Sequence, residues 1–186
     1  MPEDANPTYI PPSILLVSGA PASGKSTVAR SLAARLPFAL ISKDALKECL
    51  FDTLNQLEGD ALDKPRRLSI AAMELLWTVA AGCPHAILEA NFRPHSDYER
   101  ERIQALPGRK LEIYCKCSPE EAQRRFAQRA QRSAHHPAHA LRTMSAAMVA
   151  EYDQPMRVCP VIEVDTETPV QIGLILQAIR KHWPDV

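Results

Sequence analysis

The stretch Gly19-Ala20-Pro21-Ala22-Ser23-Gly24-Lys25-Ser26 sets two glycines around four residues and follows them directly with lysine and a hydroxyl. That pattern is built to hold a chain of phosphates. The glycines let the backbone take conformations that a side chain forbids, so successive N–H groups, those of Ala22 and Ser23 among them, turn inward onto phosphate oxygens. Lys25 bridges the outer phosphates, the Ser26 hydroxyl holds Mg2+, and Thr27 reaches the innermost phosphate. An apolar run precedes the motif and a helical pattern follows it, which is the context such a loop requires.

Further chemistry sits downstream. In LISKDALKECL, Asp44 stands just past a strand pattern. A carboxylate there can orient an acceptor hydroxyl and take its proton during phosphoryl transfer, or it can serve only to favour a helix start. AILEANFRPH ends in Glu89, Asn91 and Arg93. Glu89 reads either as a ligand of Mg2+ through water or as a buried acid paired with a lysine. Arg93 reads either as a grip on an anion, in the acceptor or the moving phosphoryl group, or as a surface salt bridge. In SPEEAQRRFAQRAQRSAHHPAH, Arg125, Arg129 and Arg132 share a helix face about 60° wide. Three cations in one stripe repel unless an anion pairs with them; the plain alternative is a solvated basic face. His135 and His139 are four apart, but Pro137 breaks the helix between them and no acid is near in sequence. The segment reads as part of a lid, with His136 and its neighbours available to an acceptor, and not as a metal site.

These residues need elements to place them. SILLVSG, FALIS, HAILEANF, KLEIYCKC and VIEVD read as five strands. Helical spacing fills the gaps: Val28, Leu32, Leu36; then Leu46, Leu50, Leu54; then Leu68, Leu75, Leu76, Val79; and a charged helix near 96–106. Ser118, Pro119 and Glu121 start another helix, and Thr168, Pro169 and Gln171 are expected to start the last. Met144, Met148 and Tyr152 belong to an amphipathic core helix. Strands alternating with helices predict an α/β fold with a five-stranded parallel sheet flanked by helices on both faces. Such sheets bind ligands beyond the carboxyl ends of their strands, where the residues above fall. Residues 1–12, rich in proline, are expected to form a flexible arm, and 13–186 a single domain with a short lid at roughly 125–140.

Composition narrows the classes. In 186 residues, hydrophobic types make up 46%, enough for one core, and 22 basic side chains balance 22 acidic ones. The balance gives no support to nucleic-acid or anionic-membrane partners. The acidic, proline-rich start lacks a signal-peptide pattern, and no apolar run reaches the ~20 residues of a membrane span. The five cysteines include no Cys-x-x-Cys pair. A cytoplasmic protein is expected.

The stretch SGAPASGKSTVARSLAARL…LISKDALKECLFD resembles the small P-loop kinases that include chloramphenicol phosphotransferase, gluconate kinase and the kinase domain of 5'-polynucleotide kinase. In layout the likeness runs from about Ile14 to His182. It implies the three-layer P-loop nucleoside triphosphate hydrolase fold, ATP and Mg2+ as cofactors, and transfer of the γ-phosphoryl group to a hydroxyl of a small molecule. It makes Asp44 the general base, and Arg125 and Arg129 catalytic lid residues that close over ATP beside Lys25. In these kinases the loop holding Asp165 and Thr166 cradles adenine. Polynucleotide kinases carry arginine three residues after the acid; here it is Lys47, which argues against a nucleic-acid acceptor. Two alternatives stand beside this expectation: a polynucleotide 5'-hydroxyl kinase, and a regulatory ATPase without a small-molecule acceptor.

Overall fold

The computed structural model describes residues 11–58, 65–131, 136–139 and 141–186. The sheet is built on β1 (Ser13–Ser18), whose six residues are all buried. A strand covered on both faces must be apolar throughout, and SILLVS supplies that run. Leu15 and Val17 face one core, with Val28, Leu32, Ile113, Ile175 and Ile179. Ile14 and Leu16 face the other, with Leu76, Trp77, Leu88, Phe92 and Ile103.

Five parallel strands lie in the order β2-β3-β1-β4-β5. The others are β2 (Ala39–Ser42), β3 (His85–Glu89), β4 (Arg109–Lys116) and β5 (Val161–Asp165). The helices are α1 (Lys25–Ala33), α2 (Lys43–Glu58), α3 (Pro65–Ala81), α4 (Asp97–Ala105), α5 (Pro119–Ala130), α6 (Ala146–Ala150) and α7 (Ile172–His182). The chain moves to one side of β1 for β2 and β3, then to the other for β4 and β5. The carboxyl end of β1 is therefore a topological switch point, and the phosphate-loop motif begins there.

Local signals set most boundaries. Ser118 caps α5 by accepting from the Glu121 N–H, with Pro119 in the first turn. Ser96 caps α4 in the same way through Glu99. Two expectations change. α7 begins at Ile172 after Gln171, which makes no side-chain cap, and not at Thr168-Pro169. The chain before it is tied to the sheet first, through the Thr166 N–H and hydroxyl on the Lys116 carbonyl, and Val170 packs on the core. On α3 the buried side is Leu68, Ala72, Leu76, Trp77 and Ala80, while Leu75 and Val79 are exposed. The alanines let the helix approach closely, and the face turns toward them. Met144 and Val149 are buried against Ala122 and Phe126, with Met148 and Tyr152 alongside, so the expected core helix exists but spans only five residues. The expected arm lies almost wholly outside the described residues, as do Arg132 and His135. Among the described residues, no helix is long and apolar enough to cross a membrane.

Candidate active site

The loop after β1 takes left-handed backbone angles at Gly19 (φ 130°), Ala22 (φ 63°) and Gly24 (φ 88°). At Gly19 a Cβ would lie 2.4 Å from the Cys115 carbonyl oxygen, so β4 packs where only glycine fits. Ala22 adopts its angle despite carrying a side chain, and such strain is characteristic of ligand-binding turns. The first turn of α1 contains no acid, leaving the positive helix end open to an anion. Ser23 is fully buried, and its hydroxyl has no hydrogen-bond partner among the described residues.

Lys25 is 5% exposed and donates to the Ala20 carbonyl at 2.6 Å. Burial pushes its pKa down, against the pull of Glu89, Cys115 and Asp44. Behind it, burial raises the Cys115 thiol to about 12, making it an inert packing group. All five cysteines are free.

β2 runs into α2 without a loop, which places Asp44 in the first helical turn beside Lys43, 3.5 Å away. Partial burial pushes the Asp44 carboxyl up, but Lys43, His139, Lys25 and Arg129 outweigh it, and the net direction is down. Asp44 is thus an ionised carboxylate at neutral pH. Glu89, at the end of β3, is buried and held from two sides. Ser26 donates to one oxygen at 3.1 Å and Ser42 to the other at 2.5 Å. Among the described residues no lysine bonds Glu89 directly, although its charge attracts that of the buried Lys25. Hard oxygen donors from Ser26 and Glu89 stand together, a set that suits Mg2+.

A cavity of about 500 Å³ gathers Lys25, Ser26, Thr27, Asp44, Glu89, Asn91, Arg125 and Arg129. Arg93 lies elsewhere, bound to Glu99 through its Nε at 2.7 Å. Arg125 lines the cavity but is also engaged, with Glu121 at 2.6 Å and the Thr166 carbonyl at 2.9 Å. It ties α5 to the loop after β5. Glu121, gripped by Arg124 and Arg125, is pulled down to about 2. Arg129 stacks its guanidinium over Phe126 and makes no ion pair to a described residue. The Asp165 carboxylate accepts from the Glu167 N–H and stays local.

Sequence reasoning missed several participants. Arg30 lines the cavity, and its place one helical turn beyond Ser26 was a usable signal. Ser42, which fixes Glu89, carried none. The histidines do have acids nearby, against expectation. His136 meets Asp52 at 3.1 Å and His139 meets Glu48 at 2.8 Å, the acids being one turn apart on α2. Among the described residues, no cluster suited to a metal by His, Cys, Asp and Glu count occurs.

A sequence profile described as the AAA domain matches residues 14–151. No functionally curated protein matches the chain. Among solved structures, a candidate kinase from Chloroflexus aurantiacus is 31% identical, with a TM-score of 0.78 over 93% of this chain and 99% of that one. A gluconokinase from Sinorhizobium meliloti is 18% identical, with a TM-score of 0.56 over 89% and 88% of the two chains. Kti12 from Chaetomium thermophilum, solved with ADP-AlF3, is 20% identical, with a TM-score of 0.58 over 92% and 97%. The chain belongs to the AAA domain family, and its fold is that of the small P-loop kinases.

Proposed function

We propose that the protein is an ATP- and Mg2+-dependent kinase that transfers the γ-phosphoryl group to a hydroxyl of a small molecule. The observation that carries this reading is an ionised carboxylate, Asp44, lining the same cavity as Ala22, Gly24, Lys25, Ser26 and Thr27 of the phosphate loop. In this reading Gly19, Ala22, Ser23, Gly24, Ser26 and Thr27 hold the phosphates of ATP. The acid-free helix start and the left-handed backbone angles at Gly19, Ala22 and Gly24 support that role. Ser26 and Glu89 would hold Mg2+, which supplies charge neutralisation between the outer phosphates.

The acceptor oxygen attacks the γ-phosphorus, the bond to the bridging oxygen breaks, and ADP leaves with the electron pair. Asp44 orients the hydroxyl and receives its proton. Because its pKa is depressed, it is a weak base that is always ready. That suits proton transfer late in a loose transition state. Lys25 and Arg129 stabilise charge on the transferring group, and Arg125 keeps α5 in place to do so. Asn91 and Arg93 serve the acceptor.

Lys47 is 6% exposed, so it is poorly placed to grip a polynucleotide backbone, which leaves the small-molecule reading stronger. The test is ATP consumption with and without a panel of hydroxylated metabolites. Consumption that depends on one acceptor is expected. Consumption equal in every mixture would favour a regulatory ATPase, and transfer to a 5'-hydroxyl oligonucleotide would favour a polynucleotide kinase.

A further inference from the structure

Asn91 lines the phosphate cavity and also a second cavity of about 360 Å³. Lys43, the neighbour of Asp44, lines the second one too, so this space is open to the body of an acceptor whose hydroxyl reaches Asp44, as is a cavity of about 490 Å³ that Asp44 itself lines with Glu48, His136 and His139. At about 360 Å³ the space is at the small end for ligand sites, which usually run ≈ 300–1,000 Å³.

The charges around this cavity are unevenly spent. Lys43, Arg66 and Arg93 contribute three cations; Glu74 and Glu99 contribute two carboxylates. Glu99 is consumed by Arg93, accepting from its Nε at 2.7 Å and from its backbone N–H at 2.8 Å. Glu74 is consumed by Arg102, at 2.8 Å, and by the Tyr98 hydroxyl. Arg66 has no acidic partner among the described residues.

Arg93 is the informative one. Glu99 is almost wholly buried and holds both ends of the residue, so the guanidinium is fixed. Yet only Nε is used. The two terminal nitrogens make no hydrogen bond to a described residue, and the side chain is 52% exposed. A guanidinium held from behind, with its outer edge open, presents the paired donors that match a carboxylate or phosphate. Arg66, without an acidic partner among the described residues, adds a second cation to the same space. A neutral polyol would use none of this charge.

Resting on the kinase reading above, the geometry points to an acceptor that is itself an anion: a small hydroxylated compound whose carboxylate or phosphate group is held by Arg93 and Arg66. Arg93 is then a specificity residue, and Glu99 positions it.

The test uses the full chain with ATP and Mg2+ and follows ADP formation. Hydroxy acids and phosphorylated polyols are each paired with their uncharged parent compound. The expected result is turnover on charged members, with kcat/KM at least 100-fold above the parents. The arm that responds tells carboxylate from phosphate. Arg93→Gln and, independently, the exposed Arg66→Ala should raise KM for that acceptor about tenfold or more, with a smaller change in kcat. Arg66→Ala keeps the test alive should Arg93→Gln fail to fold once Glu99 loses its partner. Preferred turnover of an uncharged acceptor overturns this inference and leaves the kinase reading standing. Absence of transfer to every member, charged or neutral, overturns both.

Discussion

Replacing Lys25 with methionine should slow transfer severely without destabilising the fold. The side chain is 5% exposed and its ammonium makes one bond to a described residue, the Ala20 carbonyl at 2.6 Å. An ammonium has three donors, so the charge is held under-satisfied. Burying such an ion costs several kcal/mol, while the bond lost on substitution is worth about 1.5–3 kcal/mol. Attraction to Glu89 and Asp44 offsets part of the burial cost, yet the pKa still falls. Methionine fills a similar volume without charge. The variant should therefore match the native protein or exceed it by about 1–2 kcal/mol, roughly 2–6 °C in Tm for a chain this size. The gap should depend on pH in a stated direction. The folded pKa of Lys25 is lowered, so between that value and the unfolded 10.5 the unfolded state binds more protons. Native stability then rises with pH through that window, and the variant's advantage shrinks. Turnover should drop by a factor of about 10²–10³ or more, the scale for losing one donor to a developing charge. Thermal melts at several pH values, beside ADP-release assays, measure both. A loss of more than about 2 kcal/mol, or unchanged turnover, would mean that Lys25 is not a costly buried charge serving transfer.

Substitutions at two other positions probe the scaffold. Gly19→Ala puts a methyl 2.4 Å from the Cys115 carbonyl oxygen at φ 130°, so ATP affinity should collapse, with at least about 1–3 kcal/mol of stability lost in urea titration. Glu112 is fully buried and accepts from the Ser18 hydroxyl, the Met156 N–H at 2.9 Å and the Arg157 N–H at 3.1 Å. Glu112→Ala strands all three donors and should cost about 3 kcal/mol or more, whereas Glu112→Gln should recover part of it.

The phosphate loop was legible because its chemistry is local: the glycines, Lys25 and Ser26 act through neighbours in sequence. The five strands were legible from apolar runs, and α5 from Ser118 and Glu121. Strand order was not, since it depends on pairings such as Val17 with Glu89, which no local pattern encodes. The same distance hid Ser42 behind Glu89 and separated His136 and His139 from the α2 acids that meet them. On α3, counting large apolar residues favoured Leu75 and Val79, but packing chose the alanine-lined side. Arg93 shows a further limit. Its type suggested an anion grip or a surface salt bridge; the fold adds a bond to the buried Glu99 and a place in the lining of a cavity.

The central claim is that Asp44 serves the acceptor and not the nucleotide. It is tested most directly by measuring ATP affinity and single-turnover phosphoryl transfer in Asp44→Asn, a change that keeps the shape and removes the charge. Transfer should slow by about 10²–10⁴, the range for losing a general base, with the ATP dissociation constant within about threefold of native. The native rate should in addition hold its Asp44-dependent activity down through mildly acidic pH, losing it only as pH falls through the depressed pKa. Transfer within about twofold of native in Asp44→Asn would show that Asp44 is not the base for the acceptor.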